Sequence, residues 1–180
     1  MLRWDRELER WAVEHRVWFL DPVAQGLSYV GRSSLVWLAL ALVVTLTRRR
    51  PAVFLAVAAT ALLTGLVTAL LKEAVDRERP DVPTLLRQPE TGSFPSGHAS
   101  SSFACATVIA AFVPSWRVPL YVLAGLIAWS RLYVGAHYPL DLLAGALLGI
   151  GVGLAVVAVV RALLRRGEDR RRSRPGPPGG

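Results

Sequence analysis

The sequence predicts an all-α fold: a polytopic bundle of about five membrane-spanning helices, preceded by an amphipathic helix lying on the bilayer surface. Three observations carry this. Of 180 residues, 53% are hydrophobic, too many for an ordinary soluble domain. The apolar residues gather into runs approaching the ~20 residues that a crossing helix needs, and four or five such runs exceed what one small soluble core can bury. The arginines cluster where runs end, as Arg48, Arg49 and Arg50 and again as Arg165, Arg166, Arg170, Arg171, Arg172 and Arg174. Membrane proteins carry their cytoplasmic charge at such positions. The net charge of +8 therefore points to a bilayer and not to nucleic acid, since no basic face with interleaved aromatics is present.

The elements follow in order. Residues 1–31 are expected to be an interfacial helix and its lead-in. The segment LRWDRELERWAVEHR is charged and amphipathic and lacks the apolar core of a cleavable signal. Trp4, Leu8 and Trp11, with Trp18, supply its apolar face. Spans are expected at about 33–47, 51–71, 97–113, 118–132 and 140–164. The first, third and fourth are short, the first relying on Arg32 and Arg48 to snorkel at its ends. One membrane domain is expected over 1–166, and residues 167–180, ending RSRPGPPGG, have the composition of a disordered tail. The single Cys105 cannot form an intramolecular disulfide. Gly145, Gly149 and Gly153 form a small-residue stripe on span five that would pack against a neighbour, within or between chains; the oligomeric state stays open.

With Arg48–Arg50 cytoplasmic, five spans place Arg117 and the arginine-rich tail on the same side, and segments 72–96 and 132–139 outside. Three polar islands then share the outer face: KEAVDRERP from Lys72 to Pro80, FPSGHAS from Phe94 to Ser100, and SRLYVGAHYPLD from Ser130 to Asp141. Lys72, the only lysine in the chain, joins Arg79 and Arg131 as three cations at one membrane boundary. Unmatched cations there are costly, and a bound anion relieves the cost; the planar arginine fork suits phosphate oxygens. In the second island Ser96 is placed to cap a helix and Gly97 lets an anion approach the free N–H groups of its first turn, within reach of His98. In the third, His137 and Asp141 are spaced i, i+4 on one helical face, with Pro139 suited to the first turn. An aspartate beside an imidazole fixes its tautomer and leaves the other nitrogen free as nucleophile or base. A structural His–Asp bond is the plainer alternative. A metal site made from His98, His137 and Asp141 is disfavoured by three neighbouring cations.

Together, Lys72-x6-Arg79-Pro80, Pro95-Ser96-Gly97-His98 and Ser130-Arg131-x5-His137-x3-Asp141 resemble the three-part signature of the type 2 phosphatidic-acid phosphatase superfamily, which includes lipid phosphate phosphatases, undecaprenyl-diphosphate phosphatases, glucose-6-phosphatase and vanadium haloperoxidases. Eleven positions match in order without substitution, across about residues 72–141. The resemblance implies His137 as the nucleophile that becomes a phosphohistidine, Asp141 as its orienting partner, and His98 as the acid for the leaving oxygen and then the base for water. It implies Lys72, Arg79 and Arg131 as a phosphate clamp, joined by Ser96 and the Gly97 N–H, with Pro80, Pro95 and Ser130 structural. No cofactor is implied, the cations standing where phosphoryl-transfer enzymes elsewhere use Mg²⁺. Many bacterial relatives have six spans with the N-terminus inside; this chain is expected to lack the first. The implied activity is hydrolysis of a lipid phosphate or diphosphate: an isoprenyl diphosphate, favoured slightly, phosphatidylglycerol phosphate or phosphatidic acid. Two other readings use the same residues: a vanadate-dependent haloperoxidase, whose relatives are large and soluble, and a non-catalytic phospholipid-binding or transport protein, which needs the cations but no oriented nucleophile.

Overall fold

A computed structural model describes residues 3–32 and 34–172, and every regular element among them is helical. They are α1 (Arg3–Glu14), α2 (Asp21–Gly31), α3 (Leu35–Arg48), α4 (Pro51–Val75), α5 (Gly97–Phe112), α6 (Arg117–Tyr133) and α7 (Pro139–Arg172), with single 3₁₀ turns at Trp18–Leu20 and Pro114–Trp116. A helix stands at each of the five places where the sequence predicts a span. Two of them, α4 and α7, are each long and apolar enough to cross a membrane, and α2 with α3 passes as a pair bent by 65°.

Local chemistry sets the boundaries. α4 and α7 begin at Pro51 and Pro139, whose fixed φ suits a first turn and whose missing N–H costs nothing there. α4 ends where Asp76 turns left-handed at φ 42°. α6 closes on Gly135 at φ 77°, a left-handed end that glycine adopts without strain. A Cβ at Gly135 would also lie 2.8 Å from Arg16 Nη2. The helix of α7 continues to Arg172, into the stretch from position 167 where a disordered tail is expected; residues 173–180 of that tail lie outside the described residues.

α5 is the central pillar, packed by α3, α4, α6 and α7. Its residues from Ala104 to Ala110 are all buried. Its Val108 and Ile109 form the core with Trp37, Val44, Val53, Val57 and Ile127 of the surrounding helices, and the buried Trp37 Nε1–H donates to Ser102 Oγ at 3.2 Å. The outer faces are apolar as well. Leu55, Leu62, Leu66 and Leu70 of α4 and Leu143, Leu147, Leu154 and Leu163 of α7 are exposed, the surface of a chain whose solvent is lipid. Gly145, Gly149 and Gly153 face α5 of the same chain. Cβ atoms there would come within 2.7 Å of the Ser96 carbonyl, overlap the Ser100 carbonyl, and come within 2.8 Å of the Ala104 carbonyl.

The N-terminal segment differs from the expected interfacial helix and lead-in. It holds two helices, and α2 joins the bundle against α6. α1 keeps Trp4, Leu8 and Trp11 exposed on its apolar face, and Trp18 beyond it is exposed too. Its inward face is acidic: Asp5 and Glu9 are its two buried residues. Amphipathicity identifies the two faces but not which one meets protein.

Candidate active site

The three islands converge on one cavity of about 700 Å³, lined among others by Lys72, Arg79, Gly97, His98, Arg131 and His137. Arg79 comes from the loop after α4, and the other side chains arrive at or beside the end of a helix. Lys72 comes from the last turn of α4, His98 from the first turn of α5, Arg131 from the last turn of α6, and His137 from the short link into α7. The remaining expected residues, Ser96 and Asp141, lie fully buried behind the wall.

The cations rest on main-chain carbonyls and neutral side chains. Lys72 Nζ donates to the Gly92 carbonyl. Arg79 donates through Nε to Thr91 O at 2.9 Å and through Nη1 to Ala136 O at 3.0 Å. Arg131 donates through Nη1 to Ser28 Oγ at 2.8 Å and through Nη2 to Gln88 Oε1 at 2.9 Å, while its buried Nε has no partner among the described residues. Burial lowers the Arg79 pKa from its ordinary value. Neutral acceptors thus hold all three cations in place without cancelling their charge, which leaves the cavity attractive to an anion.

The histidines differ in their supports. His98 Nε2 lies 3.1 Å from the Ser28 carbonyl, to which it donates. His137 is buried beside Asp141, with Nδ1 3.5 Å from Oδ2, at the outer limit of contact, and no hydrogen bond to Nδ1 is made among the described residues. The Asp141 carboxylate is held by others: the Tyr138 N–H donates to Oδ2 at 3.0 Å and Arg77 Nη1 to Oδ1 at 2.5 Å. Burial pulls the His137 pKa down to about 4, against the opposing pull of Asp141. At neutral pH its imidazole is therefore uncharged and carries a lone pair.

Ser96 occupies the N-cap position of α5, but its hydroxyl makes no capping bond, contrary to the expected role. Its main chain makes the connections instead: the Ser96 N–H donates to Asp141 O at 3.0 Å, tying the second island to the third, and its carbonyl receives the Ser100 N–H at 2.9 Å. Gly97 does line the cavity, and a Cβ there would meet only Thr68 Cγ2 at 3.6 Å, so its backbone geometry does not demand glycine.

Four contributors escape a reading of the sequence. Ser28 supports both His98 and Arg131 from α2, yet a lone serine in an apolar run carries no signal. Gln88, the other support of Arg131, sits in a loop of mixed polarity. Arg77 lies inside the first island but looks like one charge among many, and Asp5 lies 136 positions before the carboxylate it shares a partner with. The i, i+4 pairing of Asp5 and Glu9 opposite the tryptophans is the one pattern that hints at a buried acidic face.

The model of the PAP2 superfamily matches residues 52–165. Decaprenylphosphoryl-5-phosphoribose phosphatase of Mycobacterium tuberculosis is 38% identical over 142 residues, covering 76% of this chain and 78% of that protein. Among solved structures, the PAP2-type phosphatidylglycerolphosphate phosphatase of Bacillus subtilis superposes with a TM-score of 0.75 at 27% identity, covering 94% of this chain and 86% of the other. LpxE of Aquifex aeolicus superposes with a TM-score of 0.71, also at 27% identity, covering 84% and 93%.

Proposed function

Because the chain belongs to the PAP2 superfamily and is a phosphatase, we propose that it hydrolyses a lipid phosphate or diphosphate without a metal ion, through a phosphohistidine on His137. The observation that carries this reading is the single cavity that gathers Lys72, Arg79 and Arg131 beside two histidines. Phosphoryl transfer asks mainly for positioning and for neutralisation of the equatorial oxygens, and three fixed cations supply both. The Gly97 N–H, at the cavity wall, completes the clamp, while Ser96 stands behind it and ties α5 to Asp141 through its main chain.

In the first step His137 Nε2 attacks phosphorus, its Nδ1 side facing Asp141, and the bond from phosphorus to the lipid oxygen breaks. His98, protonated once the phosphate anion is bound beside it, gives its proton to that oxygen. In the second step His98 takes a proton from water, the water oxygen attacks phosphorus, and the P–N bond breaks. Inorganic phosphate leaves and His137 returns to its starting state.

The substrate is a lipid because of where the cavity opens. Its rim includes Tyr29 of α2, 74% exposed and next to the exposed Val30, so an apolar tail can stay in the bilayer while the phosphate enters. Of the lipid classes, an isoprenyl carrier is the favoured one, in keeping with the name of the mycobacterial relative. Five helices, α3 to α7, cross the membrane, α1 lies in the interface with its tryptophans in lipid, and the cavity faces the periplasm or extracellular space.

The test is phosphate release by the purified protein from farnesyl diphosphate, phosphatidylglycerol phosphate, phosphatidic acid and decaprenylphosphoryl-5-phosphoribose, with and without EDTA. Release should persist in EDTA and be fastest with an isoprenyl substrate. Activity that vanishes with EDTA and returns with Mg²⁺, or turnover of none of the four, overturns the reading.

A further inference from the structure

Arg77 is outside the eleven-position signature, yet it grips the site from behind. Its Nη1 donates to Asp141 Oδ1 at 2.5 Å and its Nη2 donates to Asp5 Oδ2. The guanidinium carbon lies 4.3 Å from the centre of the Tyr138 ring, a cation–π contact that fixes its plane. Asp5 also caps α7, its Oδ1 accepting the Leu140 N–H at 2.9 Å. Both carboxylates are wholly buried. One arginine therefore sits between an aspartate of α1 and the aspartate that faces His137.

This arrangement divides the charge of Asp141. A permanent cation and the Tyr138 N–H hold the carboxylate closely, while His137 stands off at 3.5 Å. We propose that Arg77 is a positioning residue for His137: it fixes the Asp141 carboxylate and offsets its charge, keeping the imidazole neutral, and Asp5 sets the strength of that effect by holding the other side of the guanidinium. The proposal rests on the reading of His137 as nucleophile. The other groups around His137 are Lys72 of α4, Arg79 of the following loop, His98 of α5 and Arg131 of α6. The cations among them disfavour a charged imidazole, and Asp141 is the acid that favours one.

The charges predict opposite displacements. In Arg77→Gln the field of Asp141 on His137 is no longer offset, so the imidazolium is favoured. In Asp5→Asn the cap on Leu140 keeps an oxygen acceptor, but Arg77 is released to Asp141 alone and the imidazolium is disfavoured. The measurement is the pH profile of kcat/KM for phosphate release from farnesyl diphosphate in dodecylmaltoside micelles, where the acid limb reports deprotonation of His137. For Arg77→Gln that limb should move to higher pH by about one unit, with kcat falling at least ~10-fold and KM little changed. For Asp5→Asn it should move to lower pH. Arg77→Lys keeps the charge but cannot fork between two carboxylates, so its limb should stay near that of the unaltered protein while kcat falls.

Damage to packing alone does not separate the variants in this way. Limbs that all coincide, or that move in the same direction in Arg77→Gln and Asp5→Asn, overturn the proposal. Should Arg77→Gln fail to fold, an unmoved limb in Asp5→Asn does so by itself. His137→Ala run in the same assay keeps the two readings apart. Turnover surviving in His137→Ala overturns the nucleophile assignment; no turnover there, together with unmoved limbs in the other variants, overturns only the role of Arg77.

Discussion

Arg131 Nη1 donates to the hydroxyl of Ser28 at 2.8 Å, a contact that spans 103 positions of chain. The same serine accepts from His98 through its carbonyl, so one residue of α2 braces two groups of the cavity. Ser28→Ala removes the hydroxyl contacts alone, to Arg131 and to Ser130 Oγ at 3.2 Å, and leaves the carbonyl to His98. A hydrogen bond to a charged group is worth ~1.5–3 kcal/mol; with Arg131 in the proposed phosphate clamp, KM for farnesyl diphosphate should rise about 10-fold or more. Steady-state kinetics check this, and a change confined to kcat would show that Ser28 serves His98 instead.

The two histidines separate by trapping. With p-nitrophenyl phosphate the leaving group needs no proton, so His98→Ala should still form the phospho-enzyme and break it down slowly, while His137→Ala should form none. Acid-labile ³²P label on His98→Ala protein, mapped to His137 by peptide sequencing, is the expected result. Label on His98 in His137→Ala would reverse the roles.

Gly149→Ala should destabilise the fold. A Cβ there would overlap the Ser100 carbonyl, with Ala104 N 3.0 Å away, and overpacking of this kind costs ~1–3 kcal/mol. Gly151 on the same helix has nothing within 4 Å of a Cβ, so Gly151→Ala should leave stability unchanged or raise it by up to ~1 kcal/mol. Thermal melting of both variants in detergent decides the comparison.

Glu9 gives the fold a pH dependence of predictable sign. Burial raises its pKa to about 7, only partly offset by Arg16 and Arg10. Between its unfolded value of 4.5 and 7 the native state binds more protons than the unfolded one, so stability falls as pH rises through this window. Each unit of the shift corresponds to ~1.4 kcal/mol. Glu9→Gln should therefore melt higher than the unaltered protein at pH 8 and nearly level with it below pH ~4.5. Melting curves at the two pH values test this, and equal differences at both would exclude the titration of Glu9 as the cause.

Most of the fold is legible in the sequence because apolar length and charge placement are strong local signals: α4 to α7 stand where their apolar runs place them. α2 is not, since SYVG carries no periodicity beyond that of its short neighbours. The site shows the same division. Lys72, Arg79, His98, Arg131 and His137 are visible because their spacings fit a signature, and all five line one cavity. Asp5, Ser28 and Arg77 are invisible because their roles exist only after distant segments meet. The Ser96 hydroxyl misleads for a related reason: an N-cap position read from sequence does not say that the side chain will turn to its own helix.

The glycine stripe has a consequence for how the enzyme tolerates its surroundings. His98 lies in the first turn of α5, Asp141 lies in the first turn of α7 with His137 just before it, and along the face between the two helices three positions keep backbone against backbone. The gap between the two helices that carry the histidines is therefore gauged by the thickness of a peptide chain, a dimension with no rotamers to adjust. A bilayer of unfamiliar thickness can tilt such a plank of two helices, but it has little means of prising them apart. The residues that hold this calibration have no side-chain chemistry, so the positions least forgiving of change need not be those that touch the substrate.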